Sequence, residues 1–314
     1  MTERILINEV GLRDALQNQP SILSTDQKLA LFHTLRAAGI RDFEATSFVS
    51  PKHVPQLADA AEFLRLLPQD RSLRYTCLIP NERGYERALA AGATGIAVVL
   101  SATEGLNQKN IGMSLVQATE VCERVVRRAK DEGLFARAYI AAAFACPFEG
   151  LTPPRVLFEL LDRMRTAGAD ELAIADTIGA ANPRQVKDVF QEAINRYDDS
   201  HVAAHFHDTR GLGTALAWTA AEAGVRRFDI SIAGLVRLRR ARPATSPLKI
   251  LSSCSTMSAL KRGSISTPCW QPSAPPPRCC RRRAAGTSCR GRAAARKRPN
   301  DRLYAAVSTR RLKN

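Results

Sequence analysis

No apolar run in this 314-residue chain approaches the ~20 residues that a membrane-spanning helix needs, which excludes a helical membrane protein. The opening MTERILINEV places a charge pair ahead of a short apolar stretch and shows no signal or transit peptide, so a cytoplasmic protein without a membrane partner is expected. Without a secretory signal, the cysteines Cys77, Cys122, Cys146, Cys254, Cys269, Cys279, Cys280 and Cys289 are not read as a disulfide framework. The adjacent pair Cys279–Cys280, with no histidine after Val236, fits no zinc template. Acidic residues nearly vanish late in the chain. From Val236 onward 20 Lys and Arg face one acid, Asp301, so that stretch carries +19 of a net +16 and residues 1–235 carry −3. The basic excess therefore says little about the ligand of the earlier residues. Aromatics are scarce there too, with Trp270 and Tyr304 isolated among the arginines. No specific nucleic-acid partner is expected, only salt-sensitive attraction to polyanions.

What is present before Val236 is an alternation. Short apolar runs stand at Ile5–Val10, Phe43–Val49, Leu73–Ile79, Gly95–Leu100, Ala136–Phe144, Glu171–Ile178, His201–Phe206 and Phe228–Leu235. Amphipathic stretches separate them, with start signals at Thr25, Asn81, Pro153–Pro154 and Asn182–Pro183 and glycine stops at Gly39, Gly92, Gly168 and Gly224. Strands alternating with single helices predict parallel βα units, and eight of them predict an α/β protein with a closed (β/α)8 TIM barrel. The predicted organisation is a catalytic domain over 1–235 and an Arg/Pro/Cys-rich stretch over 236–314. The latter lacks helical period, is expected to be disordered, and leaves the barrel without its usual last helix.

In such a barrel, functional residues sit at the carboxyl ends of the strands. Four polar clusters fall there: Glu9–Asp14 continuing to Gln17, Glu44–Ser47, Asp176–Thr177 and His205–Asp208. On a strand, positions i and i+2 face the same side. His205 and His207 thus converge on the barrel mouth, where Asp14 can complete a set for one divalent cation such as Mg²⁺, Mn²⁺, Co²⁺ or Zn²⁺. A His-x-His pair alone would serve equally as two hydrogen-bonded strand histidines; Asp14 at the matching end of the first strand favours the cation. Arg13, pointing inward beside it, suits a developing oxyanion or a plain ion pair with Glu44 or Asp176. His33, His53, His201 and Cys146 are read as packing, surface or structural groups.

These clusters carry a resemblance. ILINEVGLRDALQN, ATSFVSPKHVPQLAD, NQKNIGMS, ACPFEG, ADTIG and HFHDTRGLG are similar, in order and spacing, to the signatures of hydroxymethylglutaryl-CoA lyases. That family belongs to a wider metal-dependent barrel group with the citramalate, homocitrate and isopropylmalate synthases. The resemblance runs from about Ile5 to Leu235, with Leu12 standing where the family usually has Pro and Ala15 where it has Gly. It implies retro-Claisen cleavage of 3-hydroxy-3-methylglutaryl-CoA to acetyl-CoA and acetoacetate, within leucine degradation and ketone-body metabolism. It implies an acyl-CoA substrate, Mg²⁺ or Mn²⁺ held by Asp14, His205 and His207, and a homodimer as an open question. By the same resemblance, Arg13 stabilises the enolate, Glu44 and Asp176 orient Arg13, and His205 also transfers a proton. Gln17, Ser47 and Thr177 fall on the substrate side, and Lys109 and Asn110, in a loop after strand 4, near the CoA portion. The alternatives are a Claisen-type synthase of the same group and a non-enzymatic polyanion binder.

After Ala233-Gly234-Leu235 the family pattern continues with a glycine pair and a cysteine on a mobile loop, then a Gly-Asn whose asparagine is a further metal ligand. Here Val236-Arg237-Leu238-Arg239-Arg240 follows instead. Ala244–Ser255 admits codons that, read one nucleotide earlier, spell GNIATEDLVFML, which restores that pattern including the Gly-Asn. A frameshift near Leu235–Leu238, real or from sequencing, accounts for this and for the arginine excess. With the cysteine and asparagine missing, the chain as written is expected to have little or no lyase activity.

Overall fold

A computed structural model describes residues 4–232. The predicted stretch over 236–314, its expected disorder, the missing last helix, the frameshift position and the late cysteines lie outside the described residues.

Eight strands, β1 (Leu6–Glu9), β2 (Asp42–Ser47), β3 (Arg74–Leu78), β4 (Gly95–Ser101), β5 (Phe135–Ala141), β6 (Glu171–Asp176), β7 (Val202–Phe206) and β8 (Arg227–Ile230), pair in parallel into a closed barrel. Each lies within or overlaps an apolar run of the sequence. Closure comes from β1, which pairs with β8 through Leu6↔Arg227 to Glu9↔Ile230 and with β2 through Asn8↔Asp42. The helices are α1 (Thr25–Ala37), α2 (Ala60–Leu66), α3 (Glu82–Ala90), α4 (Glu104–Ile111), α5 (Leu115–Asp131), α6 (Pro154–Thr166), α7 (Pro183–Tyr197) and α8 (Gly213–Glu222). None of the described helices is long and apolar enough to cross a membrane.

The helix ends follow local chemistry. Ser24 caps α1 with a reciprocal Gln27 bond, one residue before the start read from the sequence, and Asn182 caps α7 in the same way with Gln185. Pro154 and Pro183 occupy the first helical positions, where a missing N–H costs nothing. Gly168 and Gly224 leave α6 and α8 with φ of +105° and +107°, a region that penalises any Cβ. One expectation needs correction: Asn107–Ile111, read as a loop, completes the short helix α4, and β4 is therefore followed by two helices rather than one. Gly112 in the left-handed region ends α4, and a Ser114–Gln117 capping box starts α5 at once.

The alternation of each strand divides two interiors. Outward residues such as Phe43, Ile96, Ala138, Ile174, Val202 and Phe228 join the main core under the helices. There Phe32 of α1 packs on Phe43 and Tyr75 with ring centres 5.0 and 5.9 Å away. Each such fully buried ring contributes about 1.5–3 kcal/mol. Within the barrel only a small apolar layer, Leu78, Ala97, Tyr139, Ala173 and Ala203, packs together. Many of the other inward positions are polar or charged, among them Asn8, Arg137, Glu171, His205 and Asp229. Arg137 lies opposite Glu171 in the β5–β6 register and bonds it at 2.6 Å, so the barrel is plugged by ion pairs below the mouth.

Candidate metal centre

Asp14 and Arg13 sit on a single π-type helical turn, Gly11–Ala15, directly after β1. Such turns are rare and concentrate at functional sites. Its entry is held by Glu9, whose Oε1 accepts from Gly11 N at 2.7 Å and from Ile232 N at 3.0 Å, tying the end of β1 to the segment leaving β8. Burial pushes the Glu9 carboxyl up to about 7, despite those two bonds.

Across the mouth, β7 delivers His205 and His207 on one side, with ring centres 5.0 Å apart. Asp14 Oδ2 lies 3.9 Å from His205 Nε2 and 3.8 Å from His207 Nε2. One ligand atom from each residue can be chosen so that all three lie within 4.8 Å of one another. Asp14 Oδ2 is buried and has no hydrogen-bond partner, and the separations from both imidazoles are too long for hydrogen bonds. A buried carboxylate oxygen facing two imidazole nitrogens is costly unless a cation sits among them. One carboxylate with two imidazoles suits a divalent ion of borderline character, so the residues fit the group.

The electrostatics are mutual. Burial works against ionised Asp14, but Arg13 and the two histidines outweigh it and hold the carboxyl below its usual range. Burial, then His205, brings His207 down to about 4, a neutral imidazole ready to ligate. His205 is pushed down by burial yet ends above its ordinary value because Asp229 bonds it. Arg13 donates from Nη1 to Asp14 at 2.8 Å and from Nη2 to Glu44 at 2.7 Å. Its Nε, like Glu44 Oε1, is buried without a partner. Burial raises Glu44, against the pull of Arg13.

The other residues singled out from the sequence divide. Glu44 bonds Arg13. Asp176, expected to do so too, has its carboxylate taken by Ala180 N at 2.9 Å and Ala181 N at 3.0 Å, ordering the loop into α7, while its carbonyl accepts from His207 N. Ser47 is fully buried and its hydroxyl donates to Leu78 O at 3.2 Å, pinning β2 to β3. Thr177 Oγ1 accepts from Ala142 N at 2.8 Å. It thereby supports the one residue in a left-handed turn just after β5, at φ +52°. Gln17 is half-buried beside the π-type turn, and Lys109 and Asn110 are exposed at the end of α4. His33 and His53 are exposed, and His201 lies at the far end of β7 on Asp170 O.

Three buried residues escaped the sequence reading: Asp229, Arg137 and Tyr139. Asp229 accepts from His205 Nδ1 at 2.8 Å, Tyr139 Oη at 2.9 Å, Arg137 Nη2 at 2.7 Å and Asn8 Nδ2 at 2.9 Å. The available signal was the alternation in Arg227-Phe228-Asp229-Ile230, which turns Asp229 inward if Phe228 faces out.

Comparison with known proteins identifies the family. Residues 4–237 match the model of the HMGL-like family. A hydroxymethylglutaryl-CoA lyase of Bacillus subtilis (strain 168) is 38% identical over 233 residues, 74% of this chain and 78% of that protein. The mitochondrial hydroxymethylglutaryl-CoA lyase of Bos taurus is 36% identical over 74% of this chain and 72% of its own length. Among solved structures, an HMG-CoA lyase from Acenitobacter baumannii in complex with coenzyme A and 3-methylmalate superposes with a TM-score of 0.75 at 32% identity, covering 82% of this chain and 85% of that one. The carboxyl transferase domain of Rhizobium etli pyruvate carboxylase, at 17% identity and a TM-score of 0.60, shares the fold alone.

Proposed function

This chain belongs to the HMGL-like family, and on that premise we propose that its barrel is built for divalent-metal-dependent cleavage of 3-hydroxy-3-methylglutaryl-CoA to acetyl-CoA and acetoacetate. The observation that carries the reading is the partnerless Asp14 Oδ2 between the Nε2 atoms of His205 and His207, beside buried Arg13.

Asp14, His205 and His207 would hold Mg²⁺ or Mn²⁺, which supplies a Lewis acid for the substrate's tertiary hydroxyl. Arg13 is fixed by Asp14 and Glu44 through one N–H of each terminal nitrogen, which leaves further N–H donors of the same guanidinium for substrate. A thioester oxygen gaining enolate charge is the acceptor such a preorganised cation serves. His205, by the resemblance also a proton carrier, has Nε2 facing the cation space and Nδ1 on Asp229, so as a ligand it keeps no lone pair for the hydroxyl proton. Gln17 is the substrate-side group nearest the turn in sequence, and Lys109 and Asn110 offer exposed polar atoms to the CoA portion. Ser47 and Thr177 act on the substrate side through the backbone they hold. The reaction would serve leucine breakdown and ketone-body metabolism in the cytoplasm.

Beyond Leu235 the chain reads Val-Arg-Leu-Arg-Arg, without the cysteine and Gly-Asn of the family pattern. Losing a general acid commonly costs ~10²–10⁴-fold, so slow turnover is expected. The test is the full chain with Mn²⁺, assayed for acetoacetate from 3-hydroxy-3-methylglutaryl-CoA and, separately, for condensation of acetyl-CoA with 2-oxo acids. Weak cleavage, abolished by chelation and by Asp14→Asn, is expected. Condensation without cleavage, or cleavage indifferent to chelation and to Asp14→Asn, overturns the reading; robust turnover overturns the expected weakness.

A further inference from the structure

His205 has two ring nitrogens, and only one of them faces Asp14. If Nε2 carries the proton of the neutral ring, it has no lone pair to offer a cation. Which nitrogen is protonated is set by the partner of the other one. That partner is Asp229, whose side chain is 2% exposed.

The carboxylate of Asp229 is saturated. Its Oδ1 accepts from Arg137 Nη2 and Asn8 Nδ2, and its Oδ2 receives Tyr139 Oη and His205 Nδ1, all between 2.7 and 2.9 Å. Arg137, itself buried between Asp229 and Glu171, keeps the carboxylate ionised. An ionised carboxylate is an acceptor only. The proton between Asp229 and His205 therefore resides on Nδ1. The arrangement is built by register: Arg227 and Phe228 of β8 lie opposite Ala203 and Ala204 of β7, and continuing the ladder brings Asp229 beside His205.

We infer that Asp229 is a positioning residue that fixes His205 in the Nδ1–H tautomer and so dedicates Nε2 to the space it shares with Asp14 and His207. This rests on reading those three residues as a metal centre. Tyr139 takes part from the same side: it donates to Asp229 Oδ2 at 2.9 Å, and its ring stands edge-on to His205 with centres 5.7 Å apart. Partners of this kind behind a ligating histidine typically change metal affinity ~10–100-fold when removed.

The experiment uses the full chain, metal-free, with ¹⁵N-labelled histidine, at a pH above the ordinary histidine range. Five histidines make assignment tractable, with His205→Gln identifying the signal. His205 is expected as the Nδ1–H tautomer; finding it as Nε2–H overturns the proposal without any variant having to fold. In Asp229→Asn, the amide can turn its NH₂ toward Nδ1, so the tautomer should shift to Nε2–H. Co²⁺ affinity, read from the visible absorption of the bound ion, should then fall ~10–100-fold. An unchanged tautomer with unchanged affinity in that variant also overturns it. If Asp14→Asn and His207→Ala bind Co²⁺ as the parent does, the metal reading fails, and the tautomer of His205 still decides the role of Asp229.

Discussion

Arg13 and Glu44 meet inside the barrel, Nη2 to Oε2 at 2.7 Å, with the Glu44 side chain fully buried and that of Arg13 9% exposed. Breaking such a pair strands a charge in the interior. Glu44→Ala should destabilise the fold by about 3–5 kcal/mol, read as a lowered urea midpoint. Glu44→Gln keeps an acceptor for Arg13 and should cost clearly less. Equal losses in both would mean that the charge of Glu44 is not what holds Arg13.

Metal binding should release one proton per cation below the His205 transition and none well above it. Asp229 holds His205 above its ordinary value, so on the acid side of that transition its Nε2 lone pair is freed only by deprotonation, whereas His207 is already neutral above about 4 and Asp14 is held below its usual range. Affinity for Mn²⁺ should accordingly fall as pH drops below the His205 transition, with a slope of one proton rather than two. Calorimetry in buffers of different ionisation enthalpy counts the protons; two per cation would contradict the assignment.

Glu9 gives stability a pH dependence of its own. Its folded value of about 7 stands above the unfolded value near 4.5, so the folded state binds the extra proton. The contribution is complete below the unfolded value and is lost as pH rises through about 7. The swing is on the order of 3–4 kcal/mol. Glu9→Gln keeps an oxygen for Gly11 N and Ile232 N and should flatten the stability profile between those two values. A variant whose profile keeps the parent slope would exclude Glu9 as its source.

Thr177 can be tested as a structural acceptor. Removing its Oγ1 leaves the buried Ala142 N–H without its partner at a left-handed turn. Thr177→Val should cost about 1–3 kcal/mol, while Thr177→Ser should be nearly neutral. Chemical denaturation of both variants separates this from a role confined to substrate contact, which would leave stability unmoved in each.

The proposed frameshift makes a prediction at the nucleic-acid level. Sequencing the coding DNA across codons 230–260 should give a displaced frame that spells the family pattern, including Gly-Asn. An undisturbed frame with unrelated codons would end that explanation.

Most of the barrel was legible because its signals are local. Capping residues, glycine stops and apolar runs mark where each strand and helix begins and ends, and a period of two puts His205 and His207 on one side. The position of Asp14 directly after β1 was enough to suggest its partners, since every strand of a parallel barrel delivers its carboxyl end to the same mouth. Other features depended on competition among groups distant in sequence. Asp229 reaches Arg137 and Tyr139 across separations of 92 and 90 residues, and only the closed register brings them into contact. Asp176 was expected at Arg13; in the fold its carboxylate accepts from the backbone N–H groups of Ala180 and Ala181. The linear order of residues determined which side chains arrive at the barrel mouth. The folded barrel decided which of them bond one another, because a buried polar atom takes the partner that closure places within reach.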